Sequence, residues 1–211
     1  MKKRLSIVSI ALAMFLGGCS ANIATTVKMS ELLDNKSKQL NGELYIEVSS
    51  CNNFEDSRKE SENLIKTRKA ILNGFTDSKY NQCFKKSFTS YAMFNVPVQL
   101  AHDKNSISSK YINLITDRNY LLSLNIPKDL QKNIYRIQKD NITKSKINVG
   151  IKVINDIKDV PFTALSVFID DVPFIAKQLT SHKNTSFIMK LSDVSVQTAL
   201  KEDLAIILLR Q

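Results

Sequence analysis

Apolar side chains alternate with polar ones along much of the second half of the chain, and this two-residue period constrains the fold more than any other feature. The alternation begins with Ile147, Val149, Ile151 and Val153. A strand with one buried face has this period. Further short apolar runs follow at a spacing of about ten residues, with turn residues such as Asp170 and Asp171 between them. We therefore predict a small, mostly-β, sandwich-like region over residues 144–211.

The first half of the chain mixes this period with helical spacing. Predicted strands cover residues 22–27, 40–48, 84–100, 110–116 and 120–126, and predicted helices cover residues 57–73 and 127–141. The first helix depends on Ser57 and Glu60, which have the spacing of a capping box. The longest strand places Phe88 on its apolar face, and Pro97 marks an edge or a bulge. We predict an α+β fold in which residues 40–143 form an antiparallel sheet with one or two packed helices, followed by the sandwich-like region.

The beginning of the chain has the layout of an export signal. Residues 2–4 are basic, residues 5–16 form a largely apolar run of twelve, and two glycines and Cys19 follow. As a helix this run would cover only about 18 Å, whereas a membrane-spanning helix must cross roughly 30 Å of hydrocarbon. The segment is therefore predicted to direct export and not to remain as a span.

The sequence Leu16-Gly17-Gly18-Cys19 resembles the lipobox of bacterial lipoprotein signal peptides. The resemblance implies that residues 1–18 are removed and that Cys19 carries acyl chains, so that an N-terminal lipid attaches the protein to the membrane. In that family Asp after the cysteine favours the inner membrane, so Ser20 implies the outer membrane, with the body facing the periplasm. Residues 19–39 would contain the lipidated N-terminus and a short tether.

Acylation of Cys19 leaves two further thiols, Cys51 and Cys83. Because the bacterial periplasm is oxidising, we predict that they form a disulfide, although two separately buried thiols are the alternative. The bond would close a loop of about 33 residues, which corresponds to about 4 kcal/mol in the chain-entropy description. A bridge also favours an antiparallel arrangement of the strands that flank the first helix, with the helix over one end.

Few residues indicate chemistry. His102 and His182 lie in polar, loop-like contexts, and the sequence has no Gly-x-Ser-x-Gly turn. The acidic pairs at 55–56 and 170–171 are more typical of a helix start and a turn than of an acid–base pair. A zinc site needs close ligand pairs such as Cys-x-x-Cys, which the sequence lacks. We therefore predict no catalytic residues, no metal and no small-molecule cofactor.

The chain is basic, with a formal net charge of +10. Eight basic side chains near the two predicted helices form a possible basic surface: Arg58, Lys59, Lys66, Arg68, Lys69, Lys128, Lys132 and Arg136. Such a surface could rest on anionic lipid headgroups, contact an acidic protein or keep the protein soluble. Nucleic acid is not expected, because the predicted compartment and the absence of an aromatic-interleaved basic motif both oppose it.

Segments of the body, including Cys51 with residues 55–59, 160–165 and 191–195, resemble uncharacterised lipoproteins carried by prophages and other mobile elements of Gram-negative bacteria. This resemblance implies a setting and brings no activity. We expect a non-catalytic binding or structural role in the cell envelope, with an envelope protein as partner and a modified host envelope as the result. The alternatives are a structural subunit of an envelope-spanning secretion or conjugation machine, and an envelope hydrolase.

Overall fold

The computed structural model describes residues 20–34, 36–140 and 146–211, so Cys19 and the predicted export signal lie outside the described residues. The strands are β1 Ser20–Lys28, β2 Lys38–Val48, β3 Lys79–Lys86, β4 Thr89–Ala101, β5 Ile112–Ile115, β6 Tyr120–Asn125, β7 Lys146–Ile154, β8 Val160–Ile169, β9 Val172–Ser181, β10 Ser186–Leu191 and β11 Ala205–Arg210. The helices are α1 Met29–Leu33, α2 Glu62–Gly74, α3 Lys128–Asp140 and α4 Asp193–Lys201, with a 3-10 turn at Lys104–Ser106. Over the described ranges, no helix is both long enough and apolar enough to cross a membrane.

Nine of the strands form a closed barrel. Their order is β10-β7-β1-β2-β4-β5-β6-β11-β8, and β8 pairs back onto β10 to complete the ring. The other two strands extend the sheet outside the ring, β3 on β4 and β9 on β8. The predicted α+β fold with a sandwich-like region is therefore wrong, and the protein is mostly β.

The barrel closes through strands that are far apart in the sequence. β1 runs parallel to β7 along its whole length, from Ser20 opposite Lys146 to Lys28 opposite Ile154. β11 is likewise far from its partner β6 in the sequence, and these two strands pair antiparallel. Residues on both sides of position 143 thus belong to one sheet and one buried core. The two-residue period of β7 fits a barrel strand as well as a sandwich strand, which is why the alternation did not distinguish the two architectures.

Helices pack over both ends of the barrel. β1 leads directly into α1, whose Met29 and Leu32 are fully buried, and we name this end the Met29 end. The opposite end, where β1 begins, is the Ser20 end. There α2 and α3 pack together over the first residues of β1 and β7, around an apolar cavity of about 40 Å³. The Asn133 side-chain amide links the two helices by donating to the Gly74 carbonyl at 3.0 Å.

The first long helix begins four residues later than its capping-box spacing predicts. Ser61 is the residue before α2, and its hydroxyl accepts a hydrogen bond from the Leu64 amide at 3.1 Å. The Ser61 amide in turn donates to the Cys51 carbonyl at 3.0 Å. Residues 51–61 therefore form a closed loop that competes with helix formation from Ser57.

The predicted strand over residues 84–100 is also wrong in its first part. The chain reverses at Ser87 and Phe88, so that Lys86 in β3 lies opposite Thr89 in β4. Pro97 lies in β4 between Asn95, where pairing with β3 ends, and Val98, where pairing with β5 begins. Pro97 therefore lies where this edge of β4 has no paired strand. Because proline has no amide hydrogen to donate, no hydrogen bond between strands is lost at this position.

Candidate functional site

The position of Ser20 identifies the barrel end that lies next to the predicted lipid anchor. The Ser20 amide donates to Glu47 Oε2 in β2 at 3.2 Å. β2 ends one residue further on, at Val48, which pairs with Ser90 near the start of β4. The loop of residues 49–61 and the turn between β3 and β4 therefore lie at the Ser20 end.

A disulfide joins these two segments. Cys51 in the loop and Cys83 in β3 are bonded, with their Cα atoms 5.6 Å apart. Cys83 lies opposite Ala92 of β4. β2 is antiparallel to β4, which is the strand arrangement that a Cys51–Cys83 disulfide favours. The bond fixes the loop to the β3–β4 hairpin, so the two segments are presented as one unit.

The loop is also ordered by its own hydrogen bonds. The Asn53 side-chain oxygen accepts hydrogen bonds from the amides of Glu55 at 2.8 Å and Asp56 at 3.2 Å. The Asn53 amide donates to the Lys59 carbonyl at 2.9 Å, across the base of the loop. A side chain that accepts from the backbone two residues on stabilises a tight turn. This turn carries Phe54 at its tip.

Phe54 and Phe88 expose almost their entire side chains, 103% and 96% of the reference area, and we name them the phenylalanine pair. Phe88 lies in the two-residue turn between β3 and β4, after Ser87 with a φ of 55°. The alternation pattern predicts Phe88 on a buried face, and no sequence pattern distinguishes Phe54. The polar run Lys85-Lys86-Ser87 before Phe88 is a signal that could have indicated the turn.

Two of the predicted basic residues lie in the same loop. Arg58 Nε is 2.9 Å from Asp56 Oδ1, and Lys59 Nζ is 3.5 Å from Asp56 Oδ2. The hydrogen bonds from Arg58 lower the pKa of Asp56 below its usual value. Both basic side chains are largely exposed, and Asp56 together with the exposed Glu55 offsets their charge.

The basic residues of α2 have more varied settings. Arg68 contacts Glu60 at 2.7 Å and lies 5.2 Å from the centre of the Tyr80 ring, so it braces the loop against β3. Lys66 forms an exposed pair with Glu62 at 3.8 Å, and Lys69 is exposed.

The basic residues of α3 are paired with polar neighbours as well. Lys128 lies 3.7 Å from Asp203, and Lys132 lies 3.1 Å from Asp129. Arg136 donates to the Asn133 side-chain oxygen at 3.3 Å. The predicted basic surface is thus interrupted by acidic and polar partners.

The two histidines lie on separate connections at the Met29 end. The His102 ring hydrogen-bonds the Thr116 hydroxyl, and burial lowers the pKa of His102. Thr116 is fully buried, and it lines a small pocket together with His102, Asp117, Arg118 and Arg210. His182 is exposed and contacts Asp159 at 2.9 Å. Among the described residues, no three His, Cys, Asp or Glu side chains converge as a metal site would require.

This arrangement defines a class of protein: a closed-barrel domain with helices over its ends and a disulfide-braced aromatic tip. Residues 21–210 match a family model described as a domain of unknown function, DUF7424, and the chain belongs to this family. The matched region begins immediately after Ser20 and contains almost the whole barrel. No curated protein matches the chain.

Proposed function

We propose that the protein is an exported lipoprotein, attached through Cys19 to the outer membrane, with its barrel in the periplasm as a non-catalytic binding or structural element. One observation carries the proposal. The apolar leader ends in the sequence Leu16-Gly17-Gly18-Cys19, and β1 begins at the next residue, Ser20. The family match, residues 21–210, begins two residues after the cysteine at which a lipobox would be cleaved and acylated.

The fold adds a geometric consequence to this proposal. Residues 20–33, within the stretch expected to be a tether, form β1 and α1. A lipid on Cys19 would therefore join the barrel with almost no intervening chain, and the Ser20 end would face the bilayer. Several acyl chains on one residue hold a protein far more firmly than a single chain, for which each buried methylene contributes about 0.8 kcal/mol.

The anchor is tested by replacing Cys19 with serine in the full chain. We expect Cys19→Ser to remain unprocessed and to incorporate no labelled palmitate, because the thiol that accepts the lipid is gone. The matched control is the double variant Cys51→Ser/Cys83→Ser, in which Cys19 is the only cysteine and labelling should persist. A Cys19→Ser protein that is still trimmed and labelled would contradict the proposal.

The proposed role in the host envelope is supported by the resemblance to lipoproteins of mobile elements. A protein that changes the envelope could block entry of a competing phage. We expect cells with the gene to resist some phages that infect cells without it. Unchanged susceptibility across a broad panel would count against this role and leave the anchor unaffected.

A further inference from the structure

We infer that the phenylalanine pair inserts into the interfacial region of an anionic phospholipid bilayer, which the barrel faces through its Ser20 end. The inference deepens the proposed function, since it assigns a lipid contact to the body of the protein in addition to the lipid on Cys19. It rests on three observations about Phe54 and Phe88: their exposure, their rigid support and their position.

The exposure of both side chains is extreme. Phenylalanine is among the residues most often fully buried, yet two of them are almost entirely exposed at one end of the barrel, on segments that one disulfide joins. The residues next to them in sequence are polar: Asn53 and Glu55 beside Phe54, Ser87 and Thr89 beside Phe88. Hot spots of protein interfaces are instead surrounded by contacts that exclude water. An isolated ring on a polar tip fits a fluid apolar phase better, because lipid adapts its shape to the ring.

The support of both side chains is rigid. Phe88 occupies a two-residue turn at the end of a ladder in which Lys86 pairs with Thr89. Phe54 is carried by the turn that the Asn53 side chain stabilises. The disulfide between Cys51 and Cys83 connects the two supports. Little conformational entropy is therefore lost when the pair enters another phase.

The position of the pair fits a bilayer. Both tips lie at the Ser20 end, which would face the membrane if Cys19 is acylated. Four exposed basic side chains accompany them: Lys85, Lys86, Arg58 and Lys59. Basic groups next to inserted aromatic rings contact anionic headgroups, each adding roughly 1 kcal/mol near the surface. Asp56 and Glu55 offset Arg58 and Lys59, so the positive charge at the tip comes from Lys85 and Lys86, which precede Phe88 on the hairpin.

The chain contains no tryptophan, which makes a direct test possible. Phe54→Trp and Phe88→Trp, each in the full-length protein purified from membranes, are mixed with vesicles of phosphatidylethanolamine and phosphatidylglycerol. We expect the emission to shift to shorter wavelength and most of it to be quenched when the lipids carry brominated acyl chains. The matched control is Ile175→Trp, an apolar side chain that is 82% exposed on β9, outside the ring of the barrel. Its emission should keep the wavelength of a tryptophan in water and should not be quenched by the brominated lipids.

The charge requirement is tested with the double variant Lys85→Gln/Lys86→Gln in the Phe88→Trp background. The ratio of inserted to free tips should fall about fivefold for each lysine removed. Replacement of phosphatidylglycerol by phosphatidylcholine should have a similar effect. Circular dichroism of each variant verifies that the barrel is retained, which is expected because all these positions are exposed.

The lipid on Cys19 is scored separately, by mass spectrometry of the same purified protein. Quenching at positions 54 and 88 supports the inference whether or not a lipid is found, because the vesicles are present in excess. Tryptophan emission that stays unshifted and unquenched at both positions overturns the inference, whether or not Cys19 is acylated. A protein partner would then be the remaining occupant of the tip. An acylated Cys19 with aqueous tryptophans would leave the proposed function intact and refute only the insertion.

Discussion

Two glycines in barrel strands have different surroundings, and this difference predicts opposite effects of the same substitution. A Cβ atom on Gly42 of β2 would lie 2.8 Å from Val98 Cγ2 and 3.0 Å from the Val96 carbonyl oxygen. On Gly150 of β7 the nearest atoms would be 3.8 Å away, at ordinary contact distance. Overpacking in a core costs about 1–3 kcal/mol, whereas alanine in a strand is favoured over glycine by roughly 0.5–1 kcal/mol.

Gly42→Ala should therefore destabilise the barrel by about 1–3 kcal/mol, and Gly150→Ala should leave its stability unchanged or slightly increased. Urea denaturation of the two variants beside the unmodified protein measures both. Equal effects of the two substitutions would show that the structure near Gly42 relaxes, and that crowding by Val96 and Val98 is not the reason for glycine at this position.

His102 predicts a pH dependence of stability. Burial lowers the pKa of this ring below its ordinary value of 6.5, so the unfolded chain binds the proton more tightly than the folded protein does. Stability should therefore decrease as the pH falls below about 6.5, until the folded-state pKa is reached. The lowered pKa values of Asp56, Asp156 and Asp159 act in a separate window at lower pH, where their stabilisation is lost as these carboxylates become protonated.

His102→Asn removes the titrating ring and keeps a polar group next to Thr116, so it should flatten the decrease in stability between about pH 7 and pH 5. The free energy of unfolding in urea at several pH values measures this slope. His182→Asn, at an exposed position, is the matched control and should retain the part of the slope that His102 causes. Identical slopes for the His102 variant and the unmodified protein would contradict the assignment.

At the scale of single elements, α2 shows where sequence patterns are ambiguous. Both Ser57-x-x-Glu60 and Ser61 satisfy the rules for a helix start. The choice depends on contacts that the local pattern does not contain: the Cys51–Cys83 disulfide and the hydrogen bond from the Ser61 amide to the Cys51 carbonyl. These contacts hold residues 51–61 in a loop, so only Ser61 can cap the helix.

The two serines give a paired prediction. Ser61→Ala should lower the stability of the protein by about 1 kcal/mol, because the Leu64 amide loses its acceptor. Ser57→Ala should change it by less than about 0.5 kcal/mol, as is usual for a surface substitution. Guanidinium denaturation measures both, and a larger loss for the Ser57 variant would place the helix start at the capping box after all.

Most element positions could be predicted from the sequence, because β2, α3 and the strands after residue 146 have clear periods. The β3–β4 turn was missed, because Phe88 continues the apolar parity of Phe94 and Val96 although it lies outside the core, and this parity outweighed the polar residues 85–87 before it. Phe54 lies outside every predicted strand and helix, so no pattern drew attention to it. A parity pattern assumes that an apolar residue is buried, and a ring exposed for another purpose violates this assumption.

At the scale of the whole molecule, the closure of the barrel is the feature that the sequence did not reveal. The parallel pairing of β1 with β7 joins Ile23 to Val149, a separation that no local pattern encodes. Each strand has the same two-residue period, so many pairings satisfy it equally well. Only the burial of one common core selects the observed order, and that burial is a property of all the strands together.

A single core predicts that the barrel unfolds as one cooperative unit, and the distribution of fluorophores allows a direct test. All six tyrosines precede residue 143, the last being Tyr135, so tyrosine emission reports on the first part of the chain alone. Phe174→Trp in β9, a half-buried position packed against the core, reports on the second part. In urea the two signals should follow one transition with the same midpoint, because β1 cannot retain its place without β7. Two separate midpoints would show that residues 144–211 fold independently, and the shared core would then contribute little to stability.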